Sequence, residues 1–351
     1  MSLDFDFPTF LAPEQLDTLL AKGWFRMREN IFTTHYYIRD SFLLSTVWLR
    51  SDLSNYRFSK SQRKHLRNIH RRYTVTFRPL VLTPEQEALY QLYLTVAEGE
   101  RSATLVNVLG ESNPDVFNSQ LLEIRDPEAG NRLVALSVFD IGHRALQSII
   151  GIYHPDYAHE SFGVYTMLLE VEFAKEQNFL WYYIGYFTPG FSTFDYKLRL
   201  DALSFFDPDK EAWFPIETLE RPKLWSNQQI SRLQAVKEFL GERNLPSTIV
   251  LNVFYDTIIL HALGNAYLDE PLFLDMRFNS STRVGHLCYF SIQDQCYRLF
   301  LVDFEARRAK KHKGMDVLEG GWPIHGSLIR KTHFIAEASS PEELLKDVVE
   351  T

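Results

Sequence analysis

Three segments gather the residue types that chemistry needs. The first is Arg57 to Arg72, RFSKSQRKHLRNIHRR, with seven Lys or Arg, two His and no acid. Read as a helix, it puts Lys60, Lys64, Arg67 and Arg71 on one stripe, with Arg63 beside it. Such a stripe repels itself unless a polyanion lies near, and each phosphate it neutralises releases counterions. A generic charge run is a solvated face. An acid-free run inside an acidic protein points instead towards RNA or another phosphate ligand. The second segment is His154 to Tyr165, HPDYAHESFGVY. It reads as a polar loop entering a helix, whose free N–H groups suit an anion, with Gly163 allowing close approach to the backbone. The third is Trp181 to Phe206. There WYYIGYF leads through Pro189-Gly190 to Tyr196-Lys197-Leu198-Arg199, setting two cations beside aromatic faces. An ordinary capped helix, packed core aromatics and a snorkelling Lys–Arg pair are the bland alternatives for the last two segments.

These segments need elements to hold them. Pro13 to Lys22 reads as a short helix stopped by Gly23, and Trp24 to Leu53 as short strands. Tyr73 to Leu82 alternates like a strand, and Thr83-Pro84 opens a helix running to about Glu98. Leu121–Arg125, Arg132–Ile141 and Arg144–Tyr153 read as an antiparallel meander. Ser161 is placed to cap a helix to about Gln177. Its apolar positions Val164, Met167, Leu168, Val171 and Ala174 follow helical spacing, with Glu170, Glu172, Lys175 and Glu176 largely opposite. A buried strand, Leu180 to Phe187, follows. This order is the core layout of a GNAT-type acyltransferase domain, giving an α+β class. Beyond it, residues 216–246 read as a helical connector, and Thr248–Thr257, His286–Phe290 and Gln295–Phe304 as strands. The expected division is 1–82, 83–216 and 217–351.

Composition bounds the function. The chain has 351 residues, 45% hydrophobic and 23% charged, enough for two or three globular domains. Its 37 Lys and Arg against 45 Asp and Glu give a net charge of −8, which argues against a uniformly basic nucleic-acid binder. Cys288 and Cys296 are its only cysteines, so no multi-cysteine metal site is expected. They are placed to face each other across a hairpin near Ile292. His35, His143, His261 and His325 show no pairing pattern. The start MSLDFDFPTF lacks a signal-peptide pattern, and the apolar stretch Thr248–Leu263 is broken by Asn252, Asp256 and His261. A soluble cytoplasmic protein without membrane contact is the expectation.

Four motifs in order resemble the aminoacyl-tRNA–protein transferase family, that is, the arginyltransferases and the bacterial leucyltransferases acting on N-terminal Asp and Glu. Phe58-Ser59-Lys60-Ser61-Gln62-Arg63-Lys64 is similar to the family's F-x-S-R/K-S-Q-R-R/K run. Tyr153-His154-Pro155-Asp156 loosely resembles Y-x-D-P. Ser161-Phe162-Gly163-Val164-Tyr165 resembles S-L-G-x-Y/F, and Tyr183-Ile184-Gly185-Tyr186 with Tyr196-Lys197-Leu198-Arg199 resembles Y-L-G-Y followed by Y-K-x-R. The likeness runs from about residue 20 to 216. The family's cysteines before the basic run are absent here, where the chain reads Thr34 to Asp40. No thiolate-bound cluster is therefore expected.

The resemblance implies transfer of Arg or Leu from aminoacyl-tRNA to a protein α-amine, on acidic N-termini, as N-degron tagging. It also implies that no cofactor or metal is required. Lys60, Arg63, Lys64 and Arg67 would hold tRNA phosphates. Ser161 and Gly163 would bind the acceptor end or donate to the oxyanion. Tyr183, Tyr186 and Tyr196 would wall the aminoacyl pocket, and Asp156 would hold the attacking ammonium. Lys197 or Arg199 would pair with the recipient's acidic side chain. A CoA-dependent N-acyltransferase and an inactive tRNA- or N-terminus-binding homologue are the competing readings.

Overall fold

The computed structural model describes residues 3–97, 101–110, 115–255, 260, 266–276, 284–304 and 320–346. These form two units. One comprises residues 4–33 and 47–219, the other 34–46 with 220 onward and the first three residues.

The first unit carries strands β1 (Leu3–Asp6), β2 (Phe25–Met27) and β3 (Asn30–Thr34) in a small sheet beside helix α1 (Pro13–Ala21). Its main sheet has eight strands. They are β6 (Val47–Asp52), β7 (Thr74–Pro79), β8 (Ser119–Asp126), β9 (Arg132–Ile141), β10 (Ala145–Tyr153), β11 (Trp181–Phe187), β12 (Leu203–Asp207) and β13 (Ala212–Pro215). Their order is β13-β12-β6-β11-β10-β9-β8-β7. Strands β6 and β7, from the expected N-terminal portion, are thus members of the central sheet. Helices α2 (Lys60–Arg72), α3 (Pro84–Leu94), α4 (Leu105–Leu109) and α5 (Phe162–Glu176) complete the unit.

The meander β8–β9–β10 is antiparallel as expected, turning at Asp126–Arg132 and Ile141–Ala145. Residues Leu133 to Asp140 of β9 are all buried, because helices and loops cover both faces of a central strand. The chain then crosses through α5 and returns as β11, parallel to β10. This is the GNAT-type layout read from the sequence. Met167, Leu168, Val171 and Ala174 are buried as their spacing requires. Glu170 departs from the expected polar side and is wholly buried.

The second unit holds the hairpin β4 (Tyr36–Arg39) and β5 (Phe42–Ser45), and helix α6 (Trp225–Gly241). Its six-stranded sheet comprises β14 (Thr248–Asn252), β15 (Leu272–Asp275), β16 (Val284–Ser291), β17 (Cys296–Phe304), β18 (Ile324–His325) and β19 (Ile329–Ala338). Leu233, Val236 and Leu240 of α6 recur at helical spacing and are buried in a core with Ile249, Leu272 and Phe290. The second unit therefore begins near residue 220 and also recruits the hairpin 34–46. Thr257, the expected end of β14, and Glu98, the expected end of α3, lie outside the described residues.

The register corrects one expectation. Cys296 pairs with Ser291, and Cys288 pairs with Leu299, so the two thiols do not oppose each other. Both are free and buried. Among the described residues, no helix is long and apolar enough to cross a membrane.

Candidate active site

Helix α2 begins with a reciprocal cap. Ser59 Oγ accepts from the Gln62 N–H at 3.1 Å, and the Ser59 N–H donates to Gln62 Oε1 at 2.8 Å. The Gln62 side-chain amide also donates to the Arg199 carbonyl at 3.0 Å. The serine and glutamine of the F-x-S-x-S-Q run thus start the helix and strap it to the Tyr196–Arg199 turn.

Leu66 and Ile69 are the buried face of α2. The Tyr165 hydroxyl lies 2.5 Å from His65 Nδ1, and His70 Nε2 lies 2.6 Å from a Glu172 carboxylate oxygen, both contacts with α5. Arg72 pairs with Glu160 at 2.7 Å, just before Ser161. Lys60, Arg63, Lys64, Arg67 and Arg71 are exposed, and none has a carboxylate within ion-pair distance among the described residues. The basic stripe is therefore a free cationic surface running beside the start of α5.

Strands β10 and β11 pair only from Ala145↔Trp181 to Gln147↔Tyr183. Each then has an irregularity, β10 between Ser148 and Ile150 and β11 between Tyr183 and Gly185. No further pairing joins them, so the sheet opens there into a cleft. Gly185 makes the bulge possible with φ +80°, in the left-handed region. The bulge lets the Lys197 ammonium donate to the Tyr186 carbonyl at 2.7 Å. It lies 5.5 Å from the Tyr186 ring centre and 5.3 Å from that of Phe194. Lys197 is deep in the protein but keeps part of its surface open. Burial, helped by the Arg101 charge, lowers it to about 7. Burial likewise raises the neighbouring Tyr196 hydroxyl to about 12, with Tyr93, Glu170 and Tyr153 also acting on it.

A β-carbon at Gly185 would sit 3.3 Å from the Lys197 Nζ. Gly185→Ala is therefore expected to cost roughly 1–2 kcal/mol, from the left-handed backbone and this contact. Urea denaturation measures it, and an unchanged midpoint would contradict the assigned bulge.

Beneath the cleft, Tyr182 donates to the buried Glu170 carboxylate at 2.6 Å. Ser137 and Ser148 lie beside this carboxyl and also favour its charged form. Burial outweighs all three and raises Glu170 from 4.5 to about 7. The folded value exceeds the unfolded one, so its stabilising share is full below about 4.5 and lost as pH rises through about 7. By pH 8 the loss is about 3 kcal/mol. Glu170→Gln should flatten this dependence and leave the variant the more stable protein above pH 7. Parallel melting curves at pH 5 and pH 8 for both proteins would contradict it.

The other expected site residues distribute unevenly. Tyr196 stands with Lys197 at the cleft, and Tyr186, whose carbonyl holds Lys197, sets its ring edge-on to Trp48 at 5.1 Å. Arg199 is exposed, its carbonyl held by Gln62. Tyr183 alternates with Tyr182 and points into the opposite core, where it meets Phe25 and Trp213 edge-on, with Arg50 3.5 Å from its hydroxyl. Asp156 lies in a 3₁₀ turn, Pro155–Glu160, 3.6 Å from both Arg132 and His154. Gly163 has open space where a β-carbon would project. Ser161 does not cap α5 with its hydroxyl. Its φ is +56°, and its carbonyl instead accepts from the Val164 and Tyr165 N–H groups at 2.9 and 3.3 Å. The preceding 3₁₀ turn already delivers the chain to the helix start.

Glu170, Tyr182, Tyr93 and Arg101 were not singled out from sequence. Glu170 had a signal: it lies three residues after Met167 and four before Ala174, on the apolar stripe itself.

Residues 85–207 match the family described as arginine-tRNA-protein transferase, C terminus. An aspartate/glutamate leucyltransferase of Xanthomonas campestris pv. campestris (strain B100) is 31% identical over 134 residues, 36% of this chain and 52% of that protein. One from Ruegeria sp. (strain TM1040) is 26% identical over 215 residues, 59% of this chain and 74% of that protein. The chain spans about half the length of the first of these relatives. L-PGS from Bacillus licheniformis aligns at 14% identity over 40% of this chain and 46% of that one, with a TM-score of 0.30. The likeness read from the four motifs is thereby borne out: the chain is related to the aminoacyl-tRNA–protein transferases.

Proposed function

We propose that the protein transfers an amino acid from aminoacyl-tRNA to the α-amine of a protein beginning with Asp or Glu. The observation that carries this reading is the strap between Gln62 and the Arg199 carbonyl. It sets the exposed basic stripe against the turn that bears Lys197. The named activities of the related leucyltransferases support it.

In this reading Lys60, Arg63, Lys64 and Arg67 hold tRNA phosphates, and the acceptor end enters the opening between β10 and β11. The recipient's neutral amine attacks the ester carbonyl. The C–N bond forms, the ribose oxygen leaves, and the amine proton passes to that oxygen. An α-amine with a pKa of about 7.7–8.0 is substantially neutral in the cell, so the site acts chiefly by positioning. Lys197, backed by Arg199, exchanges the Tyr186 carbonyl for the recipient's acidic side chain. Tyr186 and Tyr196 wall the pocket. Ser161 and Gly163, at the open start of α5, meet the acceptor end. Asp156 draws the incoming ammonium from its exposed turn, and Tyr183 supports the wall from behind. In this reading the protein meets its charged tRNA in the cytoplasm.

A CoA pyrophosphate would need cations or a glycine-rich cradle at residues 154–163. That stretch offers Asp156 and Glu160, one glycine and no Lys or Arg. Thermal shift separates the readings: aminoacyl-tRNA should raise the melting temperature and acetyl-CoA should not. The reverse result would favour CoA chemistry. Filter-bound tRNA without transfer would mark an inactive binder.

A further inference from the structure

The second unit contains a cavity of about 320 Å³ that the proposed transfer does not use. Tyr36, Trp225, Tyr289 and Phe300 contribute its aromatic walls. Tyr289 and Phe300 stack with centroids 5.9 Å apart.

The charges lining it are unevenly matched. Arg298 is held twice, by Asp294 at 2.9 Å and Glu337 at 2.7 Å. Lys331 lies 3.7 Å from Asp269. Glu270 has no cation within ion-pair distance among the described residues. It accepts a hydrogen bond from the Gln229 side-chain amide at 2.8 Å. Gln229 lies one turn after Trp225 on α6, so the helix presents the indole and this amide on one side. Glu270 is enclosed by protein yet keeps part of its surface open to the cavity. A carboxylate without an ion pair, set among electron-rich rings, favours a donor cation with an apolar stem.

We propose that this cavity binds an organic cation carried on a peptide, a primary ammonium or a guanidinium, with Glu270 as counter-ion and the Tyr36 and Trp225 rings as walls. Burial and the Asp269 charge push the free carboxyl up to about 8 against the Gln229 hydrogen bond and the more distant Lys331 charge, so an unoccupied Glu270 is costly to ionise. A bound cation supplies the close ion pair that Lys331 does not make. The site would give the protein a hold on substrate or partner polypeptides apart from the transfer cleft, and it stands whether or not transfer occurs.

Isothermal titration of the full chain tests it with four short peptides lacking Asp and Glu. One has a free amino terminus and no Lys or Arg. The others are N-acetylated with a single Lys, a single Arg or a single Gln. At least one cationic peptide should bind at least about tenfold more tightly than the Gln control, and the one that does names the source of the cation. Glu270→Gln should remove about tenfold of that binding while keeping the melting temperature. Should that variant fail to fold, the charged-against-neutral comparison on the natural protein decides. Equal binding of all four peptides, no binding at millimolar concentration, or full retention in a folded Glu270→Gln protein would overturn the proposal.

Discussion

Replacing Lys197 with methionine is expected to lower kcat/KM for a peptide beginning with Asp by about 10²- to 10³-fold, the loss typical of truncating one partner of a buried charge pair. The expectation follows from where the ammonium sits. It is deep, donates to a backbone carbonyl, and stands beside two aromatic rings. A carboxylate arriving there meets a cation that has already lost its water. Activity on a peptide beginning with Asn should change far less, since no ion pair is lost. The pH dependence has a definite sign. With Lys197 near 7, about nine in ten carry the proton at pH 6 and about one in ten at pH 8. The preference for Asp over Asn should therefore fall about tenfold between those values. A preference that stays flat, or that rises with pH, would contradict the assigned pairing. Taking the ratio of two recipients removes the α-amine titration, which affects both alike.

Replacing Lys60, Lys64 and Arg67 together with alanine is expected to weaken tRNA binding about 10²-fold at 0.1 M salt. The slope of log affinity against log salt should become shallower by about 2 to 3. All three side chains are exposed, and none belongs to the Ser59–Gln62 cap or the Leu66–Ile69 buried face. The fold should therefore survive, and circular dichroism checks that it does. If tRNA instead bound elsewhere, the affinity would fall little and the slope would not move. A CoA enzyme would show neither change.

The parts of this arrangement written in local sequence were legible there. The capping residues Ser59 and Gln62, the acid-free stripe of α2 and the turn-punctuated meander β8–β10 all depend on neighbours within a few residues. What was not legible depends on distant partners. Lys197 acquires its environment from Gly185, twelve positions away, through a bulge that no periodicity announces. Glu170 reads as a polar interruption until Tyr182, Ser137 and Ser148 close around it. The hairpin 34–46 reads as part of the N-terminal strands, yet its core contacts are Trp225 and Tyr255. The expected cysteine pairing failed for a related reason. The hairpin turn between Ser291 and Cys296 sets a register that places the two thiols on different rungs.

The most direct test of the central claim is mass spectrometry of peptide termini. The full chain is incubated with a mixed pool of charged tRNA and peptides beginning with Asp, Glu, Lys or Ala. The expected result is the mass of one aminoacyl residue added to the α-amine of the Asp and Glu peptides, and lost when those amines are acetylated beforehand. No addition to any peptide, in a preparation that binds the same tRNA, would contradict it.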